Sequence, residues 1–265
     1  MAAEAREQRF VFGEVAELYD RARAGYPADV IDDVLRFTGV DPDRLRALEV
    51  GAGTGKATLA FAARGVEILA LEPSPEMAAV AARNCRELPR VRIVRSTFED
   101  WRLEERGFGL LFAAQSWHWV APEVRWARAA RALSPGGTLA LLGHSVRWRG
   151  EPLRDELEDV YRRVAPALLT RNPGFPGLHD VDDDAYVDEI QRTELFGGVT
   201  SRSHPWSEHF SADGFLDRLA TQSDHRLLTD TARGELFAAV RELVSARDGG
   251  VDVPHVTTVT VARLR

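Results

Sequence analysis

The feature that most constrains the fold is a run of glycines directly after a short apolar segment. Residues 46–50 form a strand-like stretch, and Gly51-Ala52-Gly53-Thr54-Gly55-Lys56 follows without a gap. Glycine suits such a place because the backbone can turn tightly and approach a ligand without a Cβ in the way. A helical pattern begins at Ala57. This strand, turn and helix predict a nucleotide-type ligand site in an α/β fold.

Short apolar runs and helical patterns alternate around this turn. Such alternation predicts parallel strands joined by right-handed crossovers. The predicted strands are Arg46–Val50, Glu67–Leu71, Val91–Arg95, Phe108–Ala113 and Thr138–Gly143, and the predicted helices are Glu14–Arg23, Ala28–Phe37, Ala57–Ala63, Pro75–Arg86 and Pro122–Ala132.

The alternation stops after Gly143. Residues 151–169 and 182–195 have helical patterns with no strand between them, and 211–246 is a further helical stretch. Strands are predicted at 199–206 and 256–264, where β-branched residues dominate the last segment. We therefore predict a single domain over 1–265, with an N-terminal helical cap at 1–40, a cofactor-binding core at 41–144 and helical substrate-cover insertions at 145–198 and 211–248.

The composition of the chain restricts the kinds of partner that it can bind. A net charge of −7 and a pI near 5.6 leave no general excess of Lys and Arg to neutralise phosphates, which disfavours a nucleic-acid substrate. The lone Cys85 cannot form an internal disulfide, and the N-terminal residues lack the apolar run of a signal peptide. Charged residues interrupt every apolar stretch before the roughly 20 residues that span a bilayer. We expect a cytoplasmic protein without a membrane role, as a monomer or homodimer.

Three nucleotide-binding interpretations compete for the glycine turn. A P-loop needs glycine at position 50 and Ser or Thr after Lys56, whereas the chain has Val50 and Ala57. A dinucleotide fingerprint needs Gly or Ala in place of Lys56, and its pyrophosphate would meet the like charge of Glu49. A ligand with a cationic amino group and a thioether or sulfonium chain suits that neighbour. S-adenosylmethionine is such a ligand, and S-adenosylhomocysteine is its product.

A second acidic residue ends the next predicted strand. Glu72 stands seventeen residues after Gly55, where a carboxylate can accept both hydroxyls of a ribose. The carboxyl ends of adjacent parallel strands meet at one edge of the sheet, which is where such folds bind ligands. We predict that Glu49 lies at this edge and that Glu72 binds the ribose.

Here the sequence resembles the class I S-adenosylmethionine-dependent methyltransferases over most of its length. Glu49-x-Gly51-x-Gly53-x-Gly55 is similar to the first motif of that family, and Glu72-Pro73-Ser74-x-x-Met77 is similar to the second. The resemblance implies a doubly wound, seven-stranded and mostly parallel Rossmann-like sheet with one antiparallel strand. It also implies helical cap insertions and a bacterial type of enzyme. The implied cofactor-binding residues of these two motifs are Glu49, Gly51, Ala52, Gly53, Gly55, Glu72, Pro73 and Met77.

Further segments follow the family pattern. Residues 95–100, with Thr97 and Phe98, stand where the family contacts the adenine, and Gln115 begins the segment that meets the methionine portion. Residues 133–137 resemble the turn into strand five. Residues 12–27 are similar to a cap found in bacterial members, in which the resemblance implies cofactor contacts for Tyr19 and Arg23.

Two positions depart from the family pattern. Gly109 stands where an aspartate often follows the phenylalanine of strand four, and Ala24 replaces a proline of the cap. No Asn or Asp followed by Pro-Pro-aromatic stands after strand four, the arrangement that methyltransferases acting on nucleic-acid amino groups carry. Together with the acidic charge, this absence predicts a small-molecule acceptor.

His118 is the candidate catalytic residue. It lies between Trp117 and Trp119 near the predicted site, where a histidine can remove a proton from an attacking hydroxyl or carbon acid. Stacked packing explains the same pattern, because methyl transfer from a sulfonium often needs only positioning and desolvation. The segment His179 to Asp184 is explained better by acidic residues that open a helix than by a metal site. We expect no metal.

The leading interpretation is therefore in-line methyl transfer from S-adenosylmethionine to a small molecule. An NAD(P)-dependent oxidoreductase is the first alternative, motivated by Glu72 and the glycine turn. A protein that binds S-adenosylmethionine without transferring its methyl group, or that catalyses another reaction such as cyclisation, is the second. The acceptor atom and the acceptor itself are left open by the sequence.

Overall fold

The computed structural model describes residues 12–103, 105–148, 151–171 and 185–265. The chain divides into two compact units. The core unit comprises Ala24–Gly143, Asp183–His204 and Thr257–Arg265, and the second unit comprises Met1–Arg23, His144–Asp182 and Pro205–Val256. The predicted segment His179 to Asp184 lies outside the described residues.

The described residues contain one seven-stranded sheet, which confirms the predicted fold class. Its strand order is β3-β2-β1-β4-β5-β7-β6. The strands are β1 Arg46–Val50, β2 Glu67–Leu71, β3 Val91–Val94, β4 Phe108–Ala114, β5 Leu133–Val146, β6 Phe196–Phe210 and β7 Val251–Leu264.

The sheet is mostly parallel. The pairs β1–β2, β1–β4, β2–β3 and β4–β5 are all parallel. Strand β7 is antiparallel to β5. Just after the end of β5, Arg147 N–H donates to Pro254 O near the start of β7, and near the end of β7 the Arg263 side chain donates to Gly136 O near the start of β5. The carboxyl ends of β1, β2 and β4 therefore share one edge, as the alternation of strands and helices predicted.

The helices of the described residues are α1 Ala16–Ala22, α2 Ala28–Thr38, α3 Lys56–Ala62, α4 Pro75–Asn84, α5 Pro122–Ala132, α6 Pro152–Val164, α7 Pro166–Arg171, α8 Ala185–Arg192, α9 Ala212–Ala220, α10 Ser223–Arg226 and α11 Asp230–Ser245.

Alternation along β1 separates two apolar clusters in the core unit. Ala47 packs with α2 and α3 on one face, whereas Leu48 packs with α5 on the other. Successive strand residues point to opposite faces, so each face needs its own apolar cover. The core unit is therefore doubly wound, and its helices fix the strand ends that carry the acidic residues.

The second unit has its own apolar cluster and a buried polar network. The Tyr161 hydroxyl lies 2.6 Å from His225 Nε2, and His225 Nδ1 lies 2.7 Å from Asp224 Oδ1. Because Nδ1 donates to the carboxylate, Nε2 is the acceptor and the Tyr161 hydroxyl donates to it. The network joins α6 to α10 and satisfies polar groups that are expensive to bury unpaired.

Several element bounds differ from the sequence predictions. The helical stretch predicted over 211–246 forms α9, α10 and α11, because Ser211 and Thr229 each accept a backbone N–H and start a new helix. Pro166 ends α6 and separates it from α7, since proline disfavours a helical residue before it. Strand β5 begins at Leu133, where pairing with Phe108 extends the ladder, and residues 134–137 interrupt the register. None of the helices in the described ranges is long and apolar enough to cross a membrane.

Candidate active site

The glycine turn at the end of β1 has the backbone conformation that the sequence predicts. Gly51, Gly53 and Gly55 have φ values of 74°, 58° and 88°, a region that other residues rarely adopt. The N–H groups of Gly51 and Ala52 both donate to Leu71 O over 2.9 Å. The turn is thereby fastened to the end of β2.

Two of these glycines face different surroundings. A Cβ on Gly51 would lie 2.5 Å from Ser116 Cβ, whereas a Cβ on Gly53 would meet nothing within 4 Å. The Ser116 hydroxyl donates to Val50 O, which holds the end of β4 against the turn. Gly51 is thus required by close packing, and Gly53 presents an open backbone face.

Glu72 is held by backbone donors on both sides. Its Oε2 accepts from Gly53 N–H over 2.7 Å, and its Oε1 accepts from Ser74 N–H over 2.8 Å. The residue is buried. These two bonds orient the carboxylate.

Glu49 is buried at the end of β1 with only 1% of its surface exposed. Thr58 Oγ1 lies 2.5 Å from its Oε2, and its Oε1 has no hydrogen-bond partner among the described residues. Burial raises the pKa of Glu49 to about 8; the Thr58 hydrogen bond opposes this rise, and the negative charge of Glu72 adds to it. A buried carboxyl with one oxygen unpaired is suited to a cationic donor.

The residues predicted to contact the adenine lie in the core unit as well. Met77 and Phe98 are 3% and 2% exposed. The Thr97 hydroxyl donates to Asp100 Oδ2 over 2.8 Å and accepts from Asp100 N–H, which closes a turn. Ser74 accepts from Met77 N–H and begins α4 after Pro73. The adenine contacts of Met77, Thr97 and Phe98 and the cofactor contact of Pro73 stay predictions.

Strand β4 ends in a constrained segment. Gln115 has a φ of 60° and donates its N–H to Leu142 O over 2.9 Å. Such a conformation is uncommon for a residue with a side chain and is often found at functional sites. Trp117 behind it is buried and packs 5.3 Å from the Trp126 ring. The methionine contact predicted for Gln115 is not tested by this geometry.

His118 lies on a short 3₁₀ turn over Trp117–Trp119. Its ring centroid is 4.7 Å from that of Trp119, and the residue keeps exposed surface. The protein atoms packed around the imidazole, and then the charge of Arg125, lower the pKa of His118 below its ordinary value. The ring is therefore neutral at neutral pH, and the lowered pKa also makes it a weaker base than an ordinary histidine.

Tyr19 and Arg23 belong to the second unit. The Arg23 guanidinium stacks 4.9 Å from the centre of the Tyr19 ring. It donates from Nε to Thr221 Oγ1 over 2.8 Å and from Nη2 to Thr221 O over 3.1 Å. These contacts join α1 to the end of α9, and the cofactor contacts predicted for both residues stay predictions.

Sequence reasoning missed two residues of the core-unit site. Thr58 and Ser116 bond Glu49 and Val50 across 9 and 66 positions of the chain. The signal for Thr58 was available, because a hydroxyl early in the helix after a glycine turn points back toward the preceding strand. Ser116 gave no such signal, since its partner lies on a different strand.

The chain is similar to known methyltransferases. Residues 48–141 match the family model described as a methyltransferase domain. An uncharacterized methyltransferase from Mycobacterium tuberculosis is 28% identical over 269 residues, which cover 100% of both chains.

Solved structures share the fold. A candidate type II methyltransferase from Anaeromyxobacter dehalogenans has a TM-score of 0.58 at 23% identity, covering 92% of this chain and 97% of that one. The phosphoethanolamine N-methyltransferase 2 of Haemonchus contortus, solved with phosphomonomethylethanolamine and S-adenosylhomocysteine, has a TM-score of 0.54 at 14% identity. That likeness covers 95% of this chain and 57% of the nematode chain.

Proposed function

We propose that this chain is a class I S-adenosylmethionine-dependent methyltransferase that transfers the methyl group of this cofactor to a small-molecule acceptor. The match of residues 48–141 to a methyltransferase domain and the similarity to the Mycobacterium tuberculosis protein support this proposal. The proposal depends on one observation: two buried carboxyl groups, those of Glu49 and Glu72, lie at the ends of the adjacent strands β1 and β2 beside a glycine turn. Two carboxyl groups at this edge of the sheet favour a ligand with a ribose and a cationic chain over one with a pyrophosphate.

The residues of the core unit fit S-adenosylmethionine. The open face at Gly53 admits a ligand close to the backbone, and the carboxylate of Glu72, which backbone donors orient, would accept hydrogen bonds from the ribose hydroxyls. The unpaired Oε1 of Glu49 offers an acceptor for a cationic amino group. When bound, the cofactor supplies an electrophilic methyl group on a sulfonium.

The protein would act mainly by alignment and exclusion of water. Holding an acceptor in line with the methyl group replaces an encounter in solution by a reaction of two positioned partners. Where the acceptor carries a proton, the unprotonated ring of His118 would accept it, although the lowered pKa limits the strength of this base. An acceptor that attacks through an unprotonated nitrogen needs no such base.

The net negative charge of the chain supports a small-molecule acceptor over a nucleic acid. The chain has 41 acidic and 34 basic residues, so a phosphate backbone would meet repulsion rather than counterions. The segment after β4 is Gln115-Ser116-Trp117-His118-Trp119, which differs from the Asn/Asp-Pro-Pro-aromatic arrangement expected for methylation of nucleic-acid amino groups.

Isothermal calorimetry tests the cofactor assignment. Wild-type protein is titrated in turn with S-adenosylmethionine, S-adenosylhomocysteine and NAD. The same three titrations are then repeated on the Gly53→Arg variant. Gly39→Arg is the matched control, because Gly39 also has a positive φ and open space but ends α2. We expect micromolar binding of the first two ligands, lost in Gly53→Arg and kept in Gly39→Arg. Binding of NAD alone would overturn the proposal.

A further inference from the structure

Glu49 has an environment that its role as a simple acceptor does not explain. The carboxyl group is almost fully buried, it receives one hydrogen bond from Thr58, and Oε1 has no hydrogen-bond partner among the described residues. An ionised carboxylate in such a place is costly, because water is excluded and one oxygen is unpaired. The neutral acid is far less costly there.

Among the described residues, the groups around Glu49 supply no positive charge that would offset the cost of ionising it. Glu72 at the end of β2 carries a second carboxylate, and its charge disfavours a negative charge on Glu49. Cys85, just after α4, is buried. Burial, and then the negative charge that Glu49 carries at high pH, raise the pKa of the thiol to about 11, so the thiol is uncharged near neutral pH. On α3 the facing group is the hydroxyl of Thr58, and Lys56 begins that helix with a partly exposed side chain. Burial is the largest cause of the raised pKa of Glu49, and the hydroxyl is the group that favours its ionised form.

We propose that Glu49 is a neutral acid in the cofactor-free protein and that it loses its proton when the cationic amino group of the cofactor binds beside it. The inference rests on the proposed function, since it takes that cofactor as the ligand. The step moves one proton from the Glu49 carboxyl to solvent, and the ligand ammonium becomes its counter-charge. Glu49 thereby selects for a cationic ligand, because a neutral or anionic group in the same place would leave the acid protonated and gain no ion pair.

The first consequence is proton release on binding. At pH 7 the free α-amino group of the ligand is already mostly protonated, with an ordinary pKa of roughly 7.7–8.0. Binding of S-adenosylhomocysteine should then release close to one proton per site. Calorimetry in several buffers with different ionisation enthalpies measures this number directly, without any turnover.

The second consequence is a pH-dependent affinity. With a pKa of about 8 for Glu49, affinity should rise roughly tenfold for each pH unit between pH 5.5 and 7.5. In Glu49→Gln the side chain keeps its shape and has no proton to lose, so both the proton release and the slope should vanish.

Thr58→Val provides a variant that leaves Glu49 in place. Loss of the hydroxyl removes the group that favours the ionised form, so the affinity profile should move to higher pH while proton release persists. A merely structural role for Thr58 would weaken binding equally at every pH.

The outcomes separate the two proposals. Binding of S-adenosylhomocysteine with no proton release, or with the same release in wild type and Glu49→Gln, would overturn the inference and leave the proposed function standing. Folded wild-type protein that binds neither S-adenosylmethionine nor S-adenosylhomocysteine would overturn both.

Discussion

The backbone N–H of Gly53 donates a hydrogen bond to Oε2 of Glu72 over 2.7 Å. This bond joins the turn after β1 to the end of β2, so the residue predicted to bind the ribose is positioned by the loop predicted to pass along the cofactor. Ser74 N–H holds the other oxygen. The site in the core unit is therefore fixed by backbone donors before any ligand arrives, which lowers the ordering cost of binding.

We predict that Glu72→Ala weakens the binding of S-adenosylhomocysteine at least tenfold, which is about 1.4 kcal/mol. The change removes the acceptor for the ribose and leaves two backbone donors without their partner. Calorimetry measures the affinity. Glu67→Ala is the control, since Glu67 is exposed at the start of the same strand. Equal affinity in wild type and Glu72→Ala would rule out the ribose role.

We predict that Gly51→Ala destabilises the protein more than Gly53→Ala does. Both changes place a side chain at a positive φ, at a cost of about 1–2 kcal/mol. Only the first also meets Ser116, and this overpacking adds about 1–3 kcal/mol. Urea unfolding measures the difference, and Gly51→Ala with Ser116→Gly should recover most of it. Equal losses in the two single variants would mean that a Cβ at position 51 fits without a costly clash with Ser116.

We predict that Glu49→Gln makes the cofactor-free protein more stable than wild type at pH 8. The folded pKa of Glu49 is raised to about 8 from 4.5, so the acid stabilises the fold fully below pH 4.5 and this contribution is lost as the pH rises through 8. The neutral amide does not titrate. We expect a difference of a few kcal/mol, on the order of 1.4 per unit of pKa shift, at pH 8 and a much smaller one at pH 5.

Urea unfolding of both proteins at the two pH values checks the effect of Glu49. Glu67→Gln should show the pH dependence of the wild type, because its side chain is exposed. A wild-type stability that is equal to that of Glu49→Gln at pH 8 would show that Glu49 is ionised at little cost.

We predict that His118→Asn lowers kcat about a hundredfold at neutral pH and leaves cofactor affinity unchanged. The neutral imidazole is held in its basic form by a lowered pKa, so wild-type kcat should fall only at pH values below the ordinary range of histidine. His209→Asn is the control, since this residue is exposed and paired with Asp252. Full activity of His118→Asn would assign His118 to packing against Trp119.

The sequence was sufficient for the features that depend on local pattern. The bounds of β1 and β2 agree with their predictions because β1 ends directly before Gly51 and β2 ends directly before Glu72-Pro73. The same holds for α5, which begins at Pro122. The positive φ values of the turn follow from its glycines.

Other features depend on contacts that sequence spacing does not encode. Strand β5 is longer than predicted because Leu133 finds a partner in Phe108. The helices after β6 are divided by capping at Ser211 and Thr229, which a continuous helical pattern conceals. The unpaired oxygen of Glu49 and the network around His225 emerge only from tertiary packing.

The most direct test of the central claim is the fate of a labelled methyl group. Purified protein is incubated with S-adenosylmethionine labelled on its methyl group and with a small-molecule extract, and both the label and S-adenosylhomocysteine are measured. We predict that label enters a small molecule in equal amount to the S-adenosylhomocysteine formed, and that Gly53→Arg abolishes both. Conversion of an acceptor without label or S-adenosylhomocysteine, or label found only in nucleic acid or protein, would contradict the account.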